Sequence, residues 1–155
     1  MNARVRGLIL GAAVAMFAGV ASAQPRVSVG PFTGTRADDA ERVVAGAISR
    51  HAGELDWVSD AAFAASAARL GVMGLSGDED IARVGRDLRL DVVVVGELQR
   101  RGRRDYLLRV RVLRGRDGST LGTGSWELRS LDEMMLLQAE IWEQLHSYVS
   151  VDPTP

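Results

Sequence analysis

Four arginines lie within five positions of the chain: Arg100, Arg101, Arg103 and Arg104, interrupted by Gly102. Guanidinium groups are planar and pair with carboxylate or phosphate oxygens through two parallel hydrogen bonds. This spacing suits the binding of an acidic protein surface or an anionic polymer, so the four arginines are the candidate partner-binding residues. The alternative is a solvated turn between two strands, because runs of charge often lie on exposed loops.

Side chains that carry out acid-base or nucleophilic catalysis are sparse. The only histidines are His51 and His146, and each lies at or near the end of a predicted helix, where a cationic ring favours the negative helix end. The chain contains no cysteine, which excludes disulfides, thiolate metal sites and thiol nucleophiles. We therefore expect a non-enzymatic protein that needs no cofactor.

Residues 78–80 are all acidic and follow three glycines, Gly71, Gly74 and Gly77. The acidic run lacks the alternating ligand spacing of a calcium loop. The glycines do not follow a strand and match neither phosphate-loop pattern. We predict that the carboxylates stabilise the first turn of a helix rather than bind a metal.

The overall charge is close to balanced, with 19 basic and 20 acidic residues. Proteins that neutralise nucleic-acid phosphates usually carry a clear basic excess. A nucleic-acid partner is therefore not expected.

The arginine run is positioned by two predicted strands. The preceding run Val92–Val95 is continuous and β-branched, which is typical of a central strand covered on both faces. The following residues 106–112 alternate apolar and polar side chains, and Asp117-Gly118 is a strong hairpin signal before a third strand at 119–128. The arginines therefore lie in the turn between the central strand and its antiparallel neighbour.

The rest of the chain supplies helices and two further strands. A strand at 27–32 should break at Pro31, and a short strand follows at 55–58. Apolar residues recur at helical spacing in four segments, at 38–51, 61–70, 79–88 and 131–149.

The helix at 61–70 should be capped by Asp60, and the last helix by a box of Ser130 and Glu133. The order β-α-β-α-α-β-β-β-α predicts an α/β (α+β) fold, a mixed β-sheet of about five strands with helices packed on it.

The amino terminus has the pattern of a secretory leader. Arg4 and Arg6 precede an apolar stretch at 8–20, and Ala21-Ser22-Ala23 is a small-residue cleavage site. A membrane anchor is the alternative, but the stretch is shorter than a bilayer requires. We predict a signal peptide over residues 1–23 cut after Ala23, a periplasmic or secreted single domain over 24–150, and a disordered tail over 151–155.

Several segments together resemble a known family. They are residues 27–32 (VSVGPF), residues 90–98 (LDVVVVGEL) and the hairpin turn at 116–119 (RDGS). From about 27 to 128 the chain resembles the amino-terminal domain of the TolB translocation protein, and it is similar in the same places to the CsgG and penicillin-binding-protein-activator families. The latter two are typically lipoproteins, whereas this chain has no cysteine to carry a lipid.

The resemblance implies an envelope protein that binds other proteins and supplies no catalytic residues. We therefore expect a periplasmic interaction or assembly module with an envelope protein partner, whose identity stays open, and with no membrane span after leader cleavage. Two alternatives remain. One is a structural homodimer through the last helix, whose apolar stripe runs from Met134 to Val149, and the other is a small-ligand or anion-binding envelope protein.

Overall fold

The computed structural model describes residues 23–72, 74 and 77–150. Most of the predicted leader and the whole of the predicted tail lie outside these residues. The described chain forms five strands and five helices: β1 (Arg26–Gly34), α1 (Ala37–Ser49), β2 (Asp56–Val58), α2 (Asp60–Arg69), α3 (Asp78–Asp87), β3 (Val92–Arg100), β4 (Tyr106–Arg114), β5 (Thr120–Leu128), α4 (Asp132–Leu136) and α5 (Gln138–Val149).

The strands form one mixed sheet in the order β2-β1-β3-β4-β5. The pairs β1–β2 and β1–β3 are parallel, and β3–β4 and β4–β5 are antiparallel. Helical crossovers join the parallel strands, and short turns join the antiparallel ones, as geometry requires. The predicted fold class and element order are confirmed, with β3 at the centre of the sheet.

The valine run of β3 is buried on both faces, as its β-branched sequence predicts. Val92 and Val94 belong to a core shared with α1 and α5, whereas Val93 and Val95 belong to a second core shared with α2 and α3. All four are at most 4% exposed. Helices therefore lie on both sides of the sheet.

The first strand does not end at Pro31, contrary to the sequence prediction. It continues to Gly34, and its pairing with β3 shifts register between Val29 and Phe32. A bulge leaves residues unpaired, so a proline without an N–H group is tolerated inside a paired strand there.

Two of the predicted helix caps are wrong by one residue. Ser59, not Asp60, caps α2, because its hydroxyl oxygen accepts from the N–H of Ala62 at 3.1 Å. The last helix is divided at Leu137 into α4 and α5, and Glu133 accepts from the N–H of Arg129 at 2.9 Å instead of closing a box with Ser130.

The two faces of the sheet are covered to different extents. On the side of α2 and α3, the residues of β4 and β5 far from those helices remain open, and Arg109, Thr123 and Ser125 are exposed there. At the edge of α3, Arg111 donates two hydrogen bonds to Asp78, of 2.8 and 3.0 Å.

The end of the sheet that carries the β3–β4 turn is called the arginine end, and the end with the β4–β5 turn is called the hairpin end.

Candidate partner-binding site

The predicted arginine run forms the turn between β3 and β4. The N–H of Arg101 donates to the carbonyl oxygen of Asp105 at 2.7 Å and closes the turn. Arg100 folds over it, because its Nε donates to the carbonyl of Gly102 at 2.9 Å and its Nη2 donates to the carbonyl of Arg103 at 3.0 Å. The guanidinium of Arg100 therefore shapes the turn and is less free than its neighbours to bind a partner.

The other three candidates, Arg101, Arg103 and Arg104, are exposed. Within the part of the chain that the structure describes, no side-chain carboxylate pairs with any of them. Some arginines elsewhere bind carboxylates, for example Arg26 with Asp56 at 2.7 Å, whereas the exposed side chains of Arg50 and Arg116 form no ion pair among the described residues. The arginine end is therefore distinguished by several exposed arginines close together, which outnumber the nearby carboxylates of Asp105 and Glu127.

Beside the turn lies an open groove with a volume of about 540 Å³. It contains both apolar walls and charged rims. Its lining residues are Arg101, Asp105, Tyr106, Leu107, Glu127, Leu128 and Arg129. A groove of this kind can hold a side chain or a short segment of a partner, with arginines placed at its rim.

Arg129 reaches the groove through strand pairing. Tyr106, the first residue after the turn region, pairs with Leu128 at the end of β5. The next residue is Arg129, and the carboxylate of Glu133 holds its backbone N–H. Residues 101 and 129 are far apart in sequence but line the same groove.

The sequence did not identify Tyr106, Glu127 and Arg129 as site residues. The hairpin turn at Asp117-Gly118 was the signal that could have found them, since a turn sets the register of the two strands that it joins. The pairing of β4 with β5 shifts by one residue between Val112 and Leu113. Counting residues outward from the turn therefore finds the right part of β5 but not the residue that pairs with Tyr106.

The acidic run at the start of α3 is paired with arginines. Asp78 binds Arg111, Glu79 binds Arg86 at 3.0 Å, and Asp80 lies 3.9 Å from Arg83. The hydrogen bonds from Arg111 hold the pKa of Asp78 below its usual value. Among the described residues, no cluster of three or more histidine, aspartate or glutamate side chains is arranged to hold a metal ion.

The two histidines lie beside one tryptophan. The ring of His51 stacks on Trp142 with centroids 3.8 Å apart and planes 7° apart, and the His146 ring lies 5.9 Å away on the same indole. Nδ1 of His146 is 2.9 Å from the carbonyl oxygen of Glu143. These contacts join the end of α1 to α5, so the histidines have a packing role.

The apolar stripe of the last helix packs inside the chain. Met134, Ile141, Leu145 and Val149 are at most 2% exposed. The large apolar side chains that remain exposed among the described residues are Met135 at 60% and Leu136 at 81%. None of the described helices has the length and apolar character of a membrane-spanning segment.

Solved structures with the same fold are found at low sequence identity. The LpoB C-terminal domain from Salmonella enterica matches with a TM-score of 0.56 and 14% identity over 71% of this chain and 86% of that domain. The corresponding domain from Escherichia coli gives 0.55 and 15% over 73% and 88%. PelC from Paraburkholderia phytofirmans, solved as a dodecamer, gives 0.51 and 16% over 79% and 89%.

Neither a family model nor a curated protein matches the chain. At these identities the structural likeness establishes the fold alone. The narrower resemblance to TolB or CsgG is not confirmed. The chain therefore has the fold of the LpoB C-terminal domain and of PelC.

Proposed function

We propose that this chain is a non-enzymatic protein-binding module of the cell envelope and that it binds an acidic surface of a partner protein at its arginine end. The observation that carries the proposal is the set of exposed guanidinium groups without carboxylate partners among the described residues, beside a groove of about 540 Å³. Charged groups at the rim of an interface accelerate association and select partners of opposite charge. The fold shared with the LpoB C-terminal domain supports an envelope location.

Within this site the arginines have different roles. Arg101 and Arg129 sit on the groove and contact the partner, and Arg103 and Arg104 add attraction from the turn. Arg100 keeps the turn in shape through its bonds to two turn carbonyls. Asp105 and Glu127 lie on the same rim. Their carboxylates repel a partner surface that carries only negative charge, so they restrict the choice of partner.

The test is affinity capture from envelope extract with the full chain as bait. The double variant Arg101→Glu/Arg129→Glu replaces both groove arginines with carboxylates and makes the groove acidic. The matched control, Arg50→Glu/Arg116→Glu, makes the same change in net charge at the hairpin end, where both arginines are exposed. We expect the groove variant to lower recovery of the captured partner about tenfold or more, and added salt to lower it for the wild type.

Equal recovery with the groove variant and the control would contradict the proposal. Recovery that fell equally with both variants would also contradict it, since net charge rather than this site would then govern capture.

Self-association through α4 is a second candidate, favoured by the exposure of Met135 and Leu136. Sedimentation velocity of the wild type and of Leu136→Ser distinguishes it from the first. A monomer at every concentration argues against this second candidate, and a concentration-dependent dimer that the variant loses argues for it.

A further inference from the structure

The two edges of the sheet differ in how they are protected. The β2 edge is three residues long, and short edge strands offer little backbone for a second chain to pair with. The β5 edge is nine residues long and contains no proline. Its one irregularity is the register shift near its start, so the stretch from Gly122 to Leu128 is regularly paired with β4 on one side. On the other side, no described strand pairs with it.

The turn geometry shows which backbone groups of β4 face β5. In an antiparallel pair, hydrogen-bonded and non-bonded residue pairs alternate. Arg101 and Asp105 form a bonded pair, so the next pair, Arg100 with Tyr106, is non-bonded. The N–H and C=O of Tyr106 therefore point away from β3 and toward β5.

The same alternation shows which backbone groups of β5 lie at its free edge. Tyr106 pairs with Leu128, so Leu128, Trp126 and Gly124 are the residues bonded to β4. The N–H and C=O groups of the residues between them, Ser125 and Glu127, face outward, and those of Thr123 follow the same alternation. These outward groups are a template for another strand.

The side chains at this edge leave room for such a strand. Thr123 and Ser125 are small and exposed. On the opposite face Gly122 and Gly124 lie against the rings of Tyr148 and Trp126, so the core side is closed. The edge also leads directly into the groove at the arginine end, which Glu127, Leu128 and Arg129 line.

We propose that β5 accepts an extended acidic segment of the partner protein as an added strand, and that the acidic end of this segment binds Arg101 and Arg129. Backbone hydrogen bonds to Thr123, Ser125 and Glu127 supply affinity, and the two guanidinium groups supply specificity. The proposal rests on the proposed function and specifies the form of its partner. Exposed arginines outnumber carboxylates at the end of the edge, and this excess is the reason that the occupant is acidic.

Two synthetic peptides test this proposal with the full chain. Both alternate threonine and valine over about eight residues, enough to cover the free edge at about 3.3 Å per residue. One has two aspartates at each end, so that either strand direction places carboxylates at the groove, and the other has asparagines there. Binding is measured by fluorescence anisotropy, and amide hydrogen exchange is followed by NMR.

In the free protein, the amides of Thr123, Ser125 and Glu127 should exchange rapidly, whereas those of Gly124 and Trp126 should be protected. The acidic peptide should slow exchange at the first three amides at least tenfold. It should bind at least tenfold more tightly than the asparagine peptide, and Arg101→Glu/Arg129→Glu should remove that difference.

Ser125→Pro tests the strand itself. The substitution removes an N–H group that faces outward, and edge strands tolerate proline at such positions. The residue before it is Gly124, which has no Cβ to clash with the proline ring. We expect it to weaken binding of the acidic peptide at least tenfold, and Ser125→Ala to change it less than twofold. The exchange measurement on the wild type needs no variant, so the proposal stays testable if Ser125→Pro does not fold.

The outcomes separate this proposal from the proposed function. Arginine-dependent binding that leaves the three β5 amides unprotected overturns strand addition and leaves the proposed function standing. Equal binding of both peptides overturns the acidic occupant, and no binding of either at about 1 mM overturns the proposal while partner capture still tests the function. Protection of the three amides that appears with protein concentration alone shows that the occupant is a second copy, and also overturns it.

Discussion

At the scale of single residues, the same side chain has two different uses in this protein. Arg26 and Arg111 are bound to carboxylates and fix the positions of neighbouring elements. Arg101 and Arg129 have no such partner among the described residues and line a groove. Composition cannot distinguish these uses, because the difference depends on which carboxylates the fold brings near.

The pair of Asp78 and Arg111 predicts a pH-dependent contribution to stability. Arg111 holds the pKa of Asp78 below its usual value of 3.8, so the ionised form is favoured in the folded state. This contribution is complete above the unfolded pKa, near 4, and is lost as the pH falls through the lower folded pKa. Asp78→Asn should therefore cost about 0.5–1 kcal/mol at neutral pH and less in acid.

Urea unfolding of the wild type and Asp78→Asn at pH values of about 7 and about 2.5 measures this difference. The control repeats the substitution in an Arg111→Gln background, where the pH dependence of the difference should largely disappear. A cost of Asp78→Asn that is the same at both pH values would show that the ion pair does not contribute.

At the scale of elements, side-chain pattern predicted the sheet well and the helix ends less well. The run Val92–Val95 predicted a central strand because β-branched side chains favour extended backbone and because an unbroken apolar run needs cover on both faces. The caps at Asp60 and Ser130 were wrong by one residue. Cap choice depends on which hydroxyl or carboxylate reaches an N–H in three dimensions, and neighbouring residues in these segments are chemically similar.

The candidate site was predicted only in part. A local run revealed the arginine turn, but the inward fold of Arg100 depends on carbonyl positions inside the turn. Arg129 joins the site through the pairing of Tyr106 with Leu128, a contact that a one-residue register shift hides from simple counting. The predicted break at Pro31 was wrong because the bulge at this position depends on how β1 pairs with β3, which the residues of β1 alone do not show.

The contact between α3 and the β4–β5 turn predicts the effect of one glycine. A Cβ at Gly85 would overlap the carbonyl oxygen of Gly115, which is backbone and cannot swing aside. Alanine favours a helix by about 1 kcal/mol over glycine, but the clash would push α3 off the sheet. Gly85→Ala should therefore destabilise the protein by about 2–3 kcal/mol in chemical unfolding.

Gly53 is the matched control, because a Cβ there meets no atom within 4 Å among the described residues. Gly53→Ala should change the free energy of unfolding by less than about 0.5 kcal/mol. Equal effects of the two substitutions would show that α3 does not pack closely on the turn.

At the scale of the whole molecule, the two ends and two edges of the sheet are unequal. Helices cover one face more completely than the other, and the short β2 ends one side of the sheet while the long β5 ends the other. The cluster of exposed arginines and the groove lie where the long free edge meets one end of the sheet. This asymmetry gives the molecule one surface that differs in charge and backbone exposure from the rest.

The central claim is that a partner binds at this surface. Hydrogen exchange with mass spectrometry, on the full chain alone and with its captured partner, tests it most directly. We predict slower exchange in the partner complex within residues 101–107 and 123–129 and little change in α2 and α3. Slower exchange confined to α2, α3 or the outer side of α5, with the first two segments unchanged, would contradict the claim.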